Sequence, residues 1–290
     1  MIFRKDINKI KDLLKIDTIN DYQLISNSFN INCLKISTSD AAFIVKYYKK
    51  KNKNFNAIEA ETNNLLFLKD NKLNFFPKVI CKNKDFLIIQ YLDNNNIRPR
   101  LTKKDFLNSI IKIHKINGKR YGFDFDTQIG GLVQINTYNN NWVDFYSTKR
   151  LFYIFNLINK KQTMGSVINK KIENLLKSLK NMIPENPKPS LLHGDLWEGN
   201  ILFKNKKFVG FIDPGSFYGH NELEVAYLRW FNPEFIDNYF LEKYTNYIKI
   251  DKEYLNYEPI YQLYYSLLNV YLWDRSFVKD VNNLLKKLKI

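Results

Sequence analysis

Two short apolar runs, residues 191–192 and 201–203, flank a polar segment, and this arrangement constrains the fold more than any other part of the chain. Short apolar runs bounded by polar turns are typical of buried strands. The segment between them contains Asp195 and Asn200, and Asp213 follows the next apolar run. The sequence therefore predicts strands whose ends present two carboxylates and one amide.

These three side chains are of the kind that phosphoryl transfer from ATP requires. One carboxylate must orient the acceptor hydroxyl and take its proton, while an amide and a second carboxylate hold Mg²⁺ through oxygen. Protein kinases place the groups as H-R-D-x-x-x-x-N followed by D-F-G. This chain has H-G-D ending at Asp195, then Asn200 at the same spacing, then D-P-G beginning at Asp213. The pattern favours catalysis by Asp195 and Mg²⁺ binding by Asn200 and Asp213 over a merely structural polar hairpin.

The composition excludes several classes of protein. The chain has 290 residues, of which 45% are hydrophobic and 16% aromatic, so it can bury a large core and is not a disordered protein. No apolar run is long enough to span a membrane, and the first residues do not resemble a signal peptide. Cys33 and Cys81 are too few for a disulfide framework or a cysteine-based metal site, so we expect reduced thiols and a cytoplasmic location.

The formal net charge of +16 could indicate nucleic acid or anionic lipid as a partner. The lysines are spread along the chain, however, and do not form one stripe. Lys, Asn and Ile are all abundant, and all three have A/T-rich codons, so a biased genome explains the charge at least as well. We therefore expect neither a nucleic-acid nor a membrane partner.

A lysine in the N-terminal third lies in the setting that kinases use to hold the α- and β-phosphates. Lys46 follows the apolar residues of a predicted strand, and a helix that begins near Phe55 carries two candidate partners. We favour Glu61 over Glu59 as the carboxylate that orients it. The predicted strands of this antiparallel sheet lie at residues 22–25, 33–36 and 43–48.

The connection between the first two of these strands, residues 26–32, is polar and contains no glycine. Kinases use glycines at this position so that backbone amides can approach the phosphates. Ser and Asn can supply donors and tolerate tight turns. The sequence leaves open whether this loop serves ATP or has lost that role.

Apolar runs at residues 76–81 and 86–92 complete the predicted sheet, and a polar stretch follows. By analogy with kinases, adenine would bind the backbone of Gln90, Tyr91 and Leu92. This expectation depends on position in the pattern alone.

Helical patterns dominate beyond residue 93. Thr102 is a predicted N-cap, and residues 166–183 form a predicted amphipathic helix. We therefore predict an α+β, two-lobed, protein-kinase-like fold. Residues 1–92 would form a small lobe with an antiparallel sheet plus a helix, and residues 93–290 a larger, mainly helical lobe.

Several motifs along the chain point to one family. They are the segment H-G-D-L-W-E-G-N at 193–200 with Trp197, the segment Asp213-Pro214, the segment F-Y-G-H at 217–220, Glu222, Glu224, Gln134-x-Asn136, and Y-Q-L-Y at 261–264. Together they resemble the fructosamine kinase (ketosamine-3-kinase) family, which is similar in fold to aminoglycoside phosphotransferases and choline kinases. Thr127, Glu198, Asn221 and Val270 differ from the usual residues of that family.

The resemblance implies ATP-dependent phosphorylation of the 3-hydroxyl of ketoamines, which are ribulosamine, erythrulosamine or fructosamine adducts on small amines or protein lysines. The phosphorylated adduct is unstable, so the reaction repairs the amine. The resemblance further implies ATP and Mg²⁺ as cofactors, Asp195 as the base, and Lys46 with Glu61 as the phosphate clamp. Trp197 could stack on the sugar or the linker, and core packing is its alternative role.

Two other classes of function remain open from the sequence. One is a related small-molecule kinase that acts on an aminoglycoside or choline, and Trp197 with Gln134-x-Asn136 speaks against it. The other is a non-catalytic kinase-fold binding protein, which the glycine-free loop favours. We expect a monomer.

Overall fold

The computed structural model describes residues 4–50, 55–101 and 104–290. The chain divides into two compact units, which consist of residues 1–97 with 202–214, and of residues 98–201 with 215–290. The sequence placed a boundary after residue 92 and left residues 202–214 in the C-terminal lobe. The contacts instead group that short segment with the N-terminal unit.

The strands and helices follow each other along the chain. The strands are β1 (Asp21–Ser28), β2 (Ile31–Ser37), β3 (Ala42–Tyr48), β4 (Val79–Lys82), β5 (Phe86–Gln90), β6 (Thr127–Ile129), β7 (Leu132–Gln134), β8 (Ser190–Leu192), β9 (Ile201–Lys204), β10 (Lys207–Phe211) and β11 (Phe217–Gly219). The helices are α1 (Arg4–Leu14), α2 (Ala57–Asp70), α3 (Lys104–His114), α4 (Trp142–Tyr146), α5 (Phe152–Lys161), α6 (Ser166–Ser178), α7 (Asn221–Phe231), α8 (Asn238–Thr245), α9 (Tyr254–Leu272) and α10 (Val278–Lys287).

The N-terminal unit contains an antiparallel sheet of order β1-β2-β3-β5-β4. In β2, Leu34 and Ile36 are buried on one face because successive side chains point to opposite faces, whereas β1 at the edge is exposed along its length. The core beneath the sheet is formed by Ile10, Leu34, Ile36, Val45, Tyr47, Phe86 and Ile88. The α+β prediction, with an antiparallel sheet plus helix in one part and mainly helices in the other, is confirmed.

The connection between β1 and β2 is shorter than the sequence predicted. The two strands extend to Ser28 and Ile31 and leave only Phe29 and Asn30 as the turn, both with positive φ angles of 51° and 63°. A two-residue turn with two positive φ angles matches the right-handed twist of a hairpin, and asparagine tolerates that conformation. The predicted polar loop over residues 26–32 is therefore wrong, because most of it is strand.

Aromatic packing explains why residues 202–214 belong to the N-terminal unit. The ring of Phe211 lies edge-on to Phe75, with centroids 5.6 Å apart, and also packs against Phe76. The backbone N–H of Phe211 donates to the carbonyl of Phe75 at 2.9 Å. Asn95 and Asn96 donate through their backbone N–H groups to the carbonyl of Phe203. These contacts join segments that are distant in sequence, so sequence order alone could not reveal them.

The second unit is mainly helical, and α9 runs through its core. Most of α9 is buried, and the Trp142 ring nitrogen on α4 donates to the Tyr261 hydroxyl at 2.9 Å. The predicted helix over 166–183 ends earlier, at Ser178, and a short 3₁₀ turn follows. The predicted N-cap Thr102 lies outside the described residues. Within the described part of the chain, no helix has the length and apolarity to cross a bilayer.

Candidate active site

In the N-terminal unit, one lysine is bound by two carboxylates. Lys46 lies on β3, and its Nζ is 2.6 Å from Oε1 of Glu61 and 2.5 Å from Oδ1 of Asp213. Glu61 reaches it from α2, which begins after the N-cap Asn56. Glu59 instead accepts a hydrogen bond from the Asn56 amide at 3.1 Å, so α2 presents Glu61 to the lysine.

The two carboxylates differ in burial. Lys46 and Glu61 are buried, whereas the Asp213 side chain is 46% exposed. Burial alone would lower the pKa of Lys46, but the charges of Asp213 and Glu61 outweigh it and raise that pKa. Burial raises the pKa of Glu61 against the opposing pull of Lys46. Two carboxylates facing one ammonium give the cluster a surplus of negative charge, which suits a bound cation.

Asp213 has an unusual backbone conformation. It follows β10 and has a φ of 55°, in the left-handed region that non-glycine residues seldom adopt. Aspartate is among the few residues that tolerate this region, because its short side chain bonds locally. The conformation turns the chain sharply after the strand while Asp213 remains bonded to Lys46.

The segment proposed to bind adenine has part of its backbone engaged. The N–H of Gln90 donates to the carbonyl of Lys78 at 2.9 Å, and that of Tyr91 donates to Ala42 at 3.3 Å. The side chain of Leu92 lies against Gly210, where an added Cβ would come 2.9 Å from Cδ1 of the leucine. Of the three residues, Leu92 is therefore the one that the sheet leaves as a candidate N–H donor.

In the second unit, a buried glutamate holds the loop that carries Asp195. Oε2 and Oε1 of Glu224 accept from the backbone N–H groups of His193 and Gly194, at 3.0 and 2.8 Å. The same carboxylate contacts Nε2 of His114 at 2.9 Å. Burial would raise the pKa of Glu224, but hydrogen bonding and charge from His114 hold that pKa below its usual value. His114 is thus a buried partner of Glu224.

The loop also depends on a close backbone approach. Gly194 has a φ of 87°, and a Cβ there would lie 2.0 Å from the carbonyl oxygen of Gly215. The Gly215 N–H donates to the His193 carbonyl at 2.9 Å. This approach explains why glycine replaces the arginine of the kinase pattern, since any side chain at this position would clash with the facing backbone.

Asn200 has its amide nitrogen committed to the same loop. Nδ2 donates to the backbone carbonyl of Asp195 at 2.7 Å, and the backbone N–H donates to Trp197 at 3.0 Å. With the nitrogen used internally, the amide has its oxygen left to act as a ligand. Oxygen is the donor atom that Mg²⁺ prefers.

Asp195 lines a cavity of about 360 Å³. Most of the other lining residues are apolar or aromatic, among them Trp197, Phe231 and Trp273. The hydroxyl of Tyr227 hydrogen-bonds to Asp195. The pKa of Tyr227 is raised, first because the residue is buried and second because the Asp195 carboxylate carries a negative charge. The Tyr227 ring is stacked on Tyr265, with centroids 3.6 Å apart. Trp197 is partly exposed in this cavity rather than fully packed in the core.

A buried polar network holds the chain where it leaves the D-P-G motif. The Gly215 carbonyl accepts from Oγ1 of Thr127 at 3.1 Å and from Nε2 of Gln134 at 3.0 Å. Asn136 donates to Thr127, and its own Oδ1 accepts from Nη2 of the fully buried Arg150 at 2.7 Å. The Gln134-x-Asn136 motif therefore holds the backbone at Gly215, directly through Gln134 and through Thr127 in the case of Asn136.

Several of these residues were not assigned roles from the sequence. Glu224 was noted as a motif residue without a function, whereas Tyr227, Arg150 and Trp273 were not singled out. A signal for Glu224 exists, since it interrupts the otherwise apolar run Leu223-Val225-Ala226. Among the described residues, no group of three His, Cys, Asp or Glu side chains could hold a metal ion.

Comparison with known proteins identifies relatives along nearly the whole chain. The family model described as fructosamine kinase matches residues 7–290. An Enterococcus faecium protein provisionally named a ketoamine kinase is 27% identical over 266 residues, which cover 87% of this chain and 89% of the relative. A chloroplastic protein-ribulosamine 3-kinase of Arabidopsis thaliana is 31% identical over 195 residues, which cover 64% of this chain and 56% of the relative.

Solved structures share the fold. A protein of Haemophilus somnus, provisionally assigned as a fructosamine-3-kinase, superposes with a TM-score of 0.78 at 24% identity, over 97% of this chain and 95% of that chain. An ADP-bound aminoglycoside phosphotransferase superposes with a TM-score of 0.67 at 19% identity, over 99% and 98% of the two chains. At these identities the likeness establishes the kinase fold alone.

Proposed function

The chain belongs to the fructosamine kinase family and is a phosphotransferase, and we propose that it transfers the γ-phosphoryl group of ATP to the 3-hydroxyl of ketoamines. The acceptors are ribulosamine, erythrulosamine or fructosamine adducts on small amines or protein lysines. The main support for this proposal is the family match over residues 7–290, since every residue to which we assign a role lies within the matched range.

Asp195 is the proposed base. Its carboxylate orients the acceptor hydroxyl and takes the proton as the oxygen attacks phosphorus. Tyr227 supports this role, because a hydroxyl that donates to one carboxylate oxygen fixes the direction of the other. Glu224 supports it indirectly, since it holds the backbone N–H groups of the two residues before Asp195.

Lys46 is the proposed phosphate clamp. A lysine on a rigid strand, oriented by a buried carboxylate, presents a fixed positive charge to the α- and β-phosphates. Glu61 is the orienting residue because it is buried with Lys46, whereas Asp213 is half exposed and available to a second cation. The raised pKa of Lys46 keeps the ammonium charged at any physiological pH.

Asn200 and Asp213 are the proposed Mg²⁺ ligands, and both fit that ion. Asp213 is the exposed member of a cluster with surplus negative charge, and Asn200 has its amide nitrogen already bonded. Mg²⁺ would supply Lewis-acid chemistry by neutralising charge on the phosphate oxygens. The residues themselves contribute the oxygen atoms and the fixed backbone that holds them.

Leu92 is the proposed backbone donor to adenine, with Gln90 and Tyr91 shaping the segment around it. The turn at Phe29-Asn30 has two positive φ angles. We propose that this turn stands where kinases have a glycine-rich loop, and that its backbone N–H groups and Ser28 serve the phosphates in place of glycines. Cys33 and Cys81 are free, which fits the proposed reducing cytoplasm.

The test is transfer of phosphate from Mg²⁺-ATP by the purified protein to a panel of acceptors. The panel contains ribulose-, erythrulose- and fructose-lysine, with choline and an aminoglycoside as acceptors of related kinases. Phosphate on the 3-hydroxyl of a ketoamine, located by phosphorus NMR, is the expected result. Transfer to choline or the aminoglycoside alone would contradict the proposed acceptor class.

A matched pair of variants links the activity to the proposed site. Asp195→Asn should abolish most of the transfer, whereas Asp144→Asn, an exposed aspartate on α4, should leave it unchanged. Equal loss in both variants would show that the activity does not depend on Asp195.

A further inference from the structure

The second unit contains another cavity, of about 690 Å³, here called the second cavity. Its lining includes Ser190 at the start of β8 and Asn221 at the start of α7. β8 runs from Ser190 toward the loop that carries Asp195, and the two cavities share none of their described lining residues. Cavities of about 300–1,000 Å³ are typical of small-molecule sites. The second cavity is therefore large enough for a ligand of its own.

Two buried side chains of this lining have polar atoms that the protein does not bond. Ser190 is 3% exposed, and among the described residues its hydroxyl has no hydrogen-bond partner. Asn221 is 6% exposed, and its Nδ2 donates to the Tyr244 hydroxyl at 3.1 Å, whereas nothing in the described part of the chain bonds its Oδ1. A buried polar group without a partner costs free energy, so both atoms require water or a ligand.

A third buried side chain of the lining, His220, is polar but uncharged. Its Nδ1 lies 2.8 Å from the Tyr261 hydroxyl, and burial lowers the pKa of His220 to about 3, so the ring is neutral at pH 7. A serine hydroxyl, an amide oxygen and a neutral imidazole are suitable partners for the O–H groups of a ligand. The buried part of the second cavity therefore favours hydroxyls.

The second cavity is also lined by three exposed lysines, Lys115, Lys188 and Lys249. The ammonium of Lys115 lies over the ring of Tyr247, 5.3 Å from its centroid. None of the three forms an ion pair with a described carboxylate. Lysines are numerous in this chain, so it is their position beside the unbonded Ser190 and Asn221 that distinguishes this surface.

The carboxylates of the lining are already engaged. Oε1 of Glu222 accepts from the Asp251 N–H at 2.6 Å, and its Oε2 accepts from the Tyr257 hydroxyl. Oδ1 of Asp251 accepts from the Glu253 N–H at 2.8 Å. With three lysines against these two carboxylates, the lining keeps a net positive charge, which attracts an anion.

From these observations we infer that the second cavity is a separate binding site, and that its ligand is a small phosphorylated polyol, such as a sugar phosphate. The ligand hydroxyls bind Ser190 and Asn221, and the phosphate binds the lysines, which hold phosphate as point charges. The inference goes beyond the proposed function and does not depend on it, because none of the residues proposed to act on ATP or the acceptor lines this cavity.

The experiment is calorimetric titration of the purified protein, without ATP, with glucose 6-phosphate, ribose 5-phosphate, glucose and inorganic phosphate. We expect at least one sugar phosphate to bind about tenfold or more tightly than glucose and inorganic phosphate, because it uses both parts of the cavity. Equal affinity for inorganic phosphate would overturn the role of the hydroxyls. Absence of binding by both sugar phosphates would overturn the site.

Variants assign the binding to the second cavity. Ser190→Ala removes a hydroxyl that bonds no described residue, and should raise the Kd of the sugar phosphate about fivefold without lowering the melting temperature. Lys188→Gln/Lys249→Gln should raise that Kd about tenfold. The matched control is Lys177→Gln/Lys180→Gln, which removes the same charge from exposed lysines outside the lining and should leave the Kd unchanged. Equal loss in the two lysine pairs would mean that only the overall charge matters, and would overturn the inference.

Asp195→Asn separates this site from the proposed active site, and it should bind the sugar phosphate as the unsubstituted protein does. If Asp195→Asn weakened binding and Ser190→Ala did not, the probe would occupy the cavity beside Asp195 and the inference would be overturned. Failure of phosphate transfer to every acceptor would instead contradict the proposed function and leave this binding result in place.

Discussion

The lysine cluster of the N-terminal unit and the Asp195 cavity of the second unit surround a carboxylate in opposite ways. The cluster pairs two carboxylates with one ammonium, since Nζ of Lys46 lies within 2.6 Å of both. The cavity surrounds Asp195 with apolar side chains and one tyrosine hydroxyl. Paired charges are fixed in place, whereas the carboxylate of Asp195 borders a cavity that an acceptor hydroxyl could enter. The difference suits a binding role for the cluster and a catalytic role for the cavity.

The largest expected effect is on the cavity side. Asp195→Asn should lower kcat by roughly 10²–10⁴-fold with little change in the melting temperature, because the amide keeps the shape but cannot take the proton. Single-turnover kinetics and thermal denaturation measure the two quantities. An unchanged kcat would show that another group is the base and would contradict a catalytic role for the Asp195 cavity.

Substitutions in the lysine cluster should lower the stability of the protein as well as its affinity for Mg²⁺-ATP. Lys46→Met leaves buried Glu61 without its ammonium, and should lower the free energy of unfolding by about 3–5 kcal/mol. The double variant Lys46→Met/Glu61→Leu should regain most of that stability while Mg²⁺-ATP binding stays weak. Urea denaturation and calorimetric titration of nucleotide separate the two effects. If the double variant bound nucleotide normally, the cluster would be structural only.

Two glutamates on α7 extend the comparison to pH. Burial raises the pKa of Glu222 to about 7, while Glu224, held by His114 and two N–H groups, has a lowered pKa. A carboxyl whose pKa is higher in the folded state than in the unfolded state stabilises the folded protein when the pH is below the unfolded-state pKa. That stabilisation is lost as the pH rises through the folded-state pKa. Because of Glu222, the free energy of unfolding should therefore decrease between about pH 4.5 and 7, by at most about 3 kcal/mol.

Urea denaturation across this pH range measures the decline, and Glu222→Gln should remove it. The groups that face Glu222 include the Tyr257 hydroxyl, the Asp251 N–H, His220 and Lys249. The same decline in Glu222→Gln would assign it to one of these neighbours instead.

The smallest expected effect concerns the hydroxyl that faces Asp195. Tyr227→Phe keeps the ring stacked on Tyr265 and removes only the hydrogen bond to the carboxylate. We expect kcat to fall by about three- to tenfold and KM for ATP to stay unchanged, because the carboxylate loses the donor that orients it. An unchanged kcat, or a rise in KM for ATP that accounts for the loss, would contradict the positioning role of Tyr227.

The sequence was informative about the local pattern of both regions and silent about their surroundings. The spacing from Asp195 to Asn200 and the helix position of Glu61 were readable because strand ends and helix faces follow directly from apolar periodicity. The hairpin turn was misjudged because Ser26, Asn27 and Ser28 are poor strand formers, yet they extend β1 by pairing with β2. Tyr227 and Trp273 could not be found because their roles depend on which helices meet at the cavity.

By itself the sequence determined the family, the α+β architecture and the order of the residues proposed for the chemistry. Motif spacing and apolar periodicity are local properties, so they can be read within a single short segment of the sequence. Only the tertiary structure decided that residues 202–214 pack with the N-terminal unit, that Glu224 bonds the backbone before Asp195, and that the cavity wall is apolar. These features join residues distant in the chain, and side-chain packing and burial, which no single segment contains, decide which of them meet.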